Sequence, residues 1–118
     1  MEKYNLANIQ ANIEQMLLRA CEGHEQAIKI YGDASDVYAD DLIRYRKAVA
    51  NTVKRLKEEG ERVTIISDLA KGETAELKGE MLKSEGRLKK AKMMVIAFEE
   101  RINAIKYIGK RLEYTENK

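Results

Sequence analysis

Residues 77–112 read LKGEMLKSEGRLKKAKMMVIAFEERINAIKYIGKRL, and the spacing of their apolar and small residues decides the fold class. Leu77, Met81, Ser84, Leu88, Ala91, Val95, Phe98, Ile102, Ile105, Gly109 and Leu112 follow one another in alternating steps of four and three. A sustained period of 3.5 residues is the mark of helices packed along a shared seam, whereas a strand turns its side chains over every second residue. The spacing predicts one helix over about residues 74–114, roughly 60 Å long at the helical rise of 1.5 Å per residue. A compact chain of this length would have a radius of gyration of only about 13–14 Å. The expected molecule is therefore elongated.

Inside that helix Met93 to Phe98 form six consecutive apolar positions, the longest such run in the chain. Val95 and Phe98 belong to the seam, but Met93, Met94 and Ile96 point elsewhere around the cylinder. A helix apolar on several sides must be covered on several sides, which one partner helix cannot do. The expected fold is all-α: an elongated antiparallel three-helix bundle or coiled coil with one long C-terminal helix and a short connecting helix.

The upstream sequence supplies the other elements. Leu6, Ile9, Ile13, Met16, Ala20, His24, Ala27 and Tyr31 form a helical stripe that predicts a helix over about 4–31, with Gly32 as its C-terminal cap. Gly23 lies within it and costs roughly 1 kcal/mol relative to Ala. Asp33 and Ser35 are N-cap residue types, and Asp36, Asp40 and Asp41 suit the positive end of a helix dipole. They predict a second helix over about 35–59, carrying Tyr38, Leu42, Tyr45, Val49 and Leu56 inward and stopping at Gly60. Between the long helices, Thr64 and Gly72 bracket a short helix over about 65–71, whose Ile65, Ile66 and Leu69 would plug one end of the bundle.

This arrangement contains a mismatch. A second helix of about 24 residues covers only part of the third, and the stripe of Ile102, Ile105, Ile108 and Leu112 is left overhanging. An exposed apolar stripe of that kind marks a contact surface. The expectation is that the overhang packs on a second copy of the chain, a dimer being favoured, or on another protein. The candidate contact residues are Met93, Met94, Ile96, Ile102, Ile105, Ile108 and Leu112.

Composition bounds the chemistry. At 118 residues the expectation is a single domain, and the absence of Pro and Trp agrees with long helices. The one cysteine, Cys21, excludes an internal disulfide. Met1 is followed directly by Glu2 and polar residues, and six apolar residues fall far short of the ~20 needed to cross a bilayer. A cytoplasmic chain with no membrane partner is expected. Cys21 and His24, three residues apart, have no further His to complete a metal site and read as core side chains. The acidic run from Asp33 to Asp41 lacks the glycine and terminal Glu of a calcium loop. No glycine forms a phosphate-cradling loop, and no pocket is expected in a slender bundle. The reading is non-enzymatic, with no catalytic, metal or cofactor-binding residues.

Net charge is +2, but residues 1–41 hold eight acids and three bases, a balance of −5 that leaves +7 for the remainder. Lys83, Arg87 and Lys90 share one stripe, with Lys89 and Lys92 close by, and Lys54, Arg55 and Lys57 form a second basic group. Such charges facing one way would bind a phosphate backbone with steep salt dependence, so nucleic acid is the alternative partner. Glu76, Glu80 and Glu85 are interleaved with them, and Glu80 stands three residues before Lys83, a spacing that forms surface ion pairs.

From Leu69 to Tyr114 the chain resembles a group of small helical proteins from phages and prophages of Gram-positive bacteria. The resemblance lies in the turn Leu69 to Glu73, in Ala75 and Leu77, and in the basic and apolar close from Arg101 to Leu112. It implies an early-region protein encoded near recombination or replication functions, with no catalytic residues to carry over. Proteins of that kind commonly bind a host or phage enzyme to recruit or block it, and anti-defence inhibitors are one version. The expected function is thus a non-enzymatic interaction factor of phage type. The alternative is a DNA- or RNA-binding accessory factor in a recombination or replication module.

Overall fold

The computed structural model describes residues 6–116, so the first two positions of the expected opening helix, Tyr4 and Asn5, lie outside the described residues. Within them the fold is all-α. Helix α1 spans Leu6–Glu58, α2 spans Val63–Glu73 and α3 spans Ala75–Glu116, and there is no strand among the described residues. All eleven positions of the α3 seam are buried or half-buried.

The first correction concerns α1, a single helix of 53 residues where two were expected. Gly32 does not cap it, and Asp33 and Ser35 do not start a new one. The reason lies in the seam. Leu17, Ala20, His24, Ala27, Tyr31, Ala34, Tyr38, Asp41 and Tyr45 step by threes and fours straight through Gly32, and every one is buried or half-buried. A break would strand as many as four N–H and four C=O groups and throw this stripe out of phase, whereas a helical Gly32 costs only about 1 kcal/mol. Asp33, Asp36 and Asp40 ride exposed on the outer side. Met16, expected in the stripe, is half exposed, and Leu17 takes its place.

Gly60 does end α1. It adopts φ +81°, donates its N–H to Lys57 O at 3.1 Å, and lets Glu61 N–H reach Leu56 O at 3.1 Å. That pair of bonds is a Schellman closure, which needs a left-handed residue that glycine enters without penalty. Helix α2 follows and is longer at both ends than the 65–71 expected. It is bounded by Arg62, with no side-chain cap, and by Thr74. Gly72 stays helical inside α2, and Thr74 joins the two helices. Its hydroxyl donates to Ala70 O at 2.7 Å, and its own carbonyl accepts the first α3 bond from Lys78 N–H at 3.0 Å.

Contacts divide the described residues into two compact units: those up to Tyr31 with those from Ala91 onwards, and Gly32–Lys90. In the first, α1 and α3 run antiparallel. Gly23 lies under the Phe98 ring, and Ile13 lies beside Gly109. Its buried apolar residues are Ala20, Ala27, Ala91 and Ile105. This corrects the expected overhang. The end of α3 is lined by the start of α1, which buries Ile105 and half-buries Ile102 and Leu112.

The second unit packs α2 and the rest of α1 and α3 together. Leu56, Ile66 and Ala70 form its buried cluster with Val53 against it, and Met81 is buried as well. Only one side of α2 contributes. Ile66 and Ala70, four residues apart, face inward, whereas Ile65 and Leu69 are exposed and plug nothing. The Ser84 hydroxyl, itself buried, donates to the half-buried Asp41 carboxylate.

Candidate interaction surfaces

A seam between two helices covers the residues that face the partner and leaves the flanking rows open. Among the described residues no large side chain is fully buried, and four of the eight buried apolar residues are alanines. The larger side chains therefore accumulate outside. On the α3 part of the first unit, Met93 is 65% exposed, Met94 44% and Ile108 48%. Of the other expected contact residues, Ile96, Ile102 and Leu112 are half-buried and Ile105 is buried. Tyr107, which points outward by its spacing but stood outside the expected contact set, is exposed as well, and on α1 the sequence reasoning missed Leu18, Ile28 and Ile30. Their positions one or two residues off the 3–4 stripe were the available signal.

Gly23 has a specific role in this unit. A Cβ built there would meet Phe98 Cζ at 2.5 Å and Cδ1 at 3.0 Å, and Cε1 more closely still. Only hydrogen fits under the ring. The Arg101 guanidinium lies 5.2 Å from the centre of the same ring on the α3 side, a cation–π contact. Gly109, the glycine of the α3 seam, has Ile13 Cγ2 3.7 Å from where its Cβ would be, an ordinary contact.

The basic candidates divide into paired and unpaired residues. Arg55 donates to Glu59 at 2.8 Å and also to Glu73. Hydrogen bonds to Glu73 and then Glu59 hold its guanidinium well above the ordinary arginine value, so it stays charged. Lys89 pairs with Glu85 at 3.0 Å. Glu80 does not pair with Lys83 as its spacing suggested; it reaches Arg44 on α1 at 3.8 Å. Lys83, Arg87 and Lys90 are left exposed on one stripe with no ion pair among the described residues. Lys54 and Lys57 are exposed near the end of α1, and Lys92 is exposed in the other unit.

Little here is arranged for chemistry. The His24 Nε2 lies 3.4 Å from a Glu99 carboxylate oxygen, and Cys21 is a half-buried free thiol. No group of three metal-ligating side chains occurs among the described residues. A cavity of about 320 Å³ in the second unit is walled by Val49, Val53, Val63 and Ile66, with Lys57 and Lys71 at it. Its hydroxyls come from Tyr45, Ser67 and Thr74, and no acid, His or Cys is among the residues that line it. No helix among the described residues is long and apolar enough to cross a membrane.

Fold and surface together define the class: an all-α chain of seam-packed helices whose outer rows keep large apolar side chains exposed. Family models, curated proteins and solved structures return no match to it.

Proposed function

We propose that this chain is a non-enzymatic interaction factor that acts by occupying a surface on another protein, either recruiting or blocking it. The observation that carries this reading is the exposed apolar set of the first unit, above all Met93, Met94, Tyr107 and Ile108 on α3. Hydrating apolar area costs roughly 25 cal/mol per Å², and methionine suits a contact surface because its unbranched, polarizable chain adapts to its partner. The resemblance to early-region phage proteins supports a target among host or phage enzymes, met in the host cytoplasm, with inhibition of a defence enzyme as one form. The test is affinity capture from Gram-positive host lysate after nuclease treatment, with the wild-type chain and with Met93→Asp/Ile108→Asp. A protein held by the first and lost from the second supports the reading. Capture that ignores these substitutions, or no capture at all, removes it.

A second reading, binding of DNA or RNA, draws support from the unpaired stripe of Lys83, Arg87 and Lys90. Three phosphate contacts would make the logarithm of affinity fall with that of salt at a slope of about −2.7 on duplex DNA. A fluorescence titration at two salt concentrations measures it. Absence of binding at low salt ends this reading.

A further inference from the structure

On α3, Met93, Met94, Ala97, Glu100, Arg101, Ala104, Tyr107 and Ile108 are all exposed. They form two interleaved rows, Met94–Ala97–Arg101–Ala104–Ile108 and Met93–Ala97–Glu100–Ala104–Tyr107, each stepping by threes and fours. That spacing is a second seam on the exposed part of α3, with Met94 at its edge bordering the groove against Gly23, Ala27 and Ile30 of α1.

The order of residues in this second seam reads nearly the same in both directions. Ile108 lies as far after the midpoint between Glu100 and Arg101 as Met93 lies before it. Tyr107 answers Met94 in the same way, and Ala104 answers Ala97. A surface with that property is complementary to itself under a two-fold rotation, which is what an isologous interface requires. We propose that α3 pairs antiparallel with α3 of a second copy, across an axis between Glu100 and Arg101. This rests on the reading of the exposed face as a protein contact and adds that self-pairing and a target compete for that one face.

Each layer of the pairing is chemically matched. Ala97 meets Ala104 of the other copy, and the small side chains let the two backbones come close. Met93 and Met94 cover Ile108 and Tyr107 on either side. At the centre Glu100 meets Arg101 twice, and neither makes an ion pair within its own chain among the described residues. Direction follows from the same two charges: a parallel pairing in register would set Glu100 on Glu100 and Arg101 on Arg101. The matched face is about 24 Å long. A contact that short is small for a specific interface, so the dimer is expected to be weak.

Sedimentation equilibrium on the full chain tests this, with far-ultraviolet circular dichroism confirming that each variant is folded. The wild type should dimerise weakly. Glu100→Arg and Arg101→Glu each place like charges across the axis and should weaken self-association at least tenfold. Mixing the two variants restores both opposite-charge contacts and should give a heterodimer of near wild-type affinity. In a Cys21→Ser background, a mixture of Ala97→Cys and Ala104→Cys chains should form a disulfide that neither forms alone. A monomer at several hundred micromolar, single variants that dimerise like the wild type, or Ala97→Cys linking to itself as readily as to Ala104→Cys would each overturn the pairing. A monomer that still captures another protein through Met93 and Ile108 would overturn only this inference and leave the interaction reading standing.

Discussion

Gly23→Ala sets two terms of opposite sign against each other. In a helix interior Ala is better than Gly by about 1 kcal/mol, and by that term alone the substitution stabilises α1. The new Cβ would, however, stand 2.5 Å from Phe98 Cζ and 3.0 Å from Cδ1, where carbon atoms prefer about 3.5–4.0 Å. The ring must move by about 1 Å to restore that separation. It is half-buried, so it can swing outward, but it then leaves the seam it fills with Val95 and Ile102. Overpacking of this kind costs about 1–3 kcal/mol, and the balance is a net loss of about 1 kcal/mol. For a chain of this size the melting midpoint falls by about 4 °C. Gly32→Ala is the control: it lies in the same helix, has no positive φ and meets nothing within 4 Å. It should raise the midpoint by about 4 °C. The assay is thermal unfolding by circular dichroism, repeated in a Phe98→Ala background. There Gly23→Ala should become stabilising, with a coupling of about 2 kcal/mol between the two positions. A Gly23→Ala chain that melts as high as Gly32→Ala, or whose effect keeps its sign without Phe98, would refute the reasoning.

Other outcomes follow from single contacts. Leu56→Ala opens a hole against Ile66 and Ala70 and should cost about 2–4 kcal/mol in urea unfolding; a loss below that of an exposed leucine such as Leu82 would contradict the cluster. Gly60→Ala forces a Cβ into a left-handed residue at φ +81° and should cost about 1 kcal/mol by thermal melt, whereas an unchanged midpoint would mean that the α1 closure tolerates another turn. Ser84→Ala removes the buried hydroxyl that donates to the half-buried Asp41 carboxylate, which still has Arg44 at 3.5 Å, and should cost about 1–2 kcal/mol. Ser84→Ala/Asp41→Leu, which removes both polar groups, should recover most of that in chemical denaturation.

The α3 seam was readable because eleven successive positions obey one period, and noise does not sustain a period for that long. The stop at Gly60 was readable for a different reason: the helical pattern ends there as well. At Gly32 the same residue type misled. Gly, Asp and Ser at 32–35 are a textually good boundary, but a cap is a local preference of about 1 kcal/mol. It decides where a helix ends only if the packed surface ends too. Tyr31, Ala34 and Tyr38 carried that surface across, and the 3–4 rhythm they keep was the signal to weigh against Gly32. Of the contact surface, Met93 and Met94 stood out as apolar residues off the seam. Tyr107 also points outward by its spacing, but a single aromatic between Lys106 and Ile108 did not by itself mark a contact surface.

By itself the sequence determined that the fold is all-α and which side of α3 turns inward, since both follow from periodicity along one chain. What only the tertiary structure decided was which segment covers which. Residues before Tyr31 lie against those after Ala91, so the end of α3 needs no second molecule on its inner side, and the surface left open is the outer one. The physical reason is that a period fixes the direction a side chain faces, while its burial depends on the register between segments far apart in the chain. Here that register was set by whether α1 continued through a single glycine.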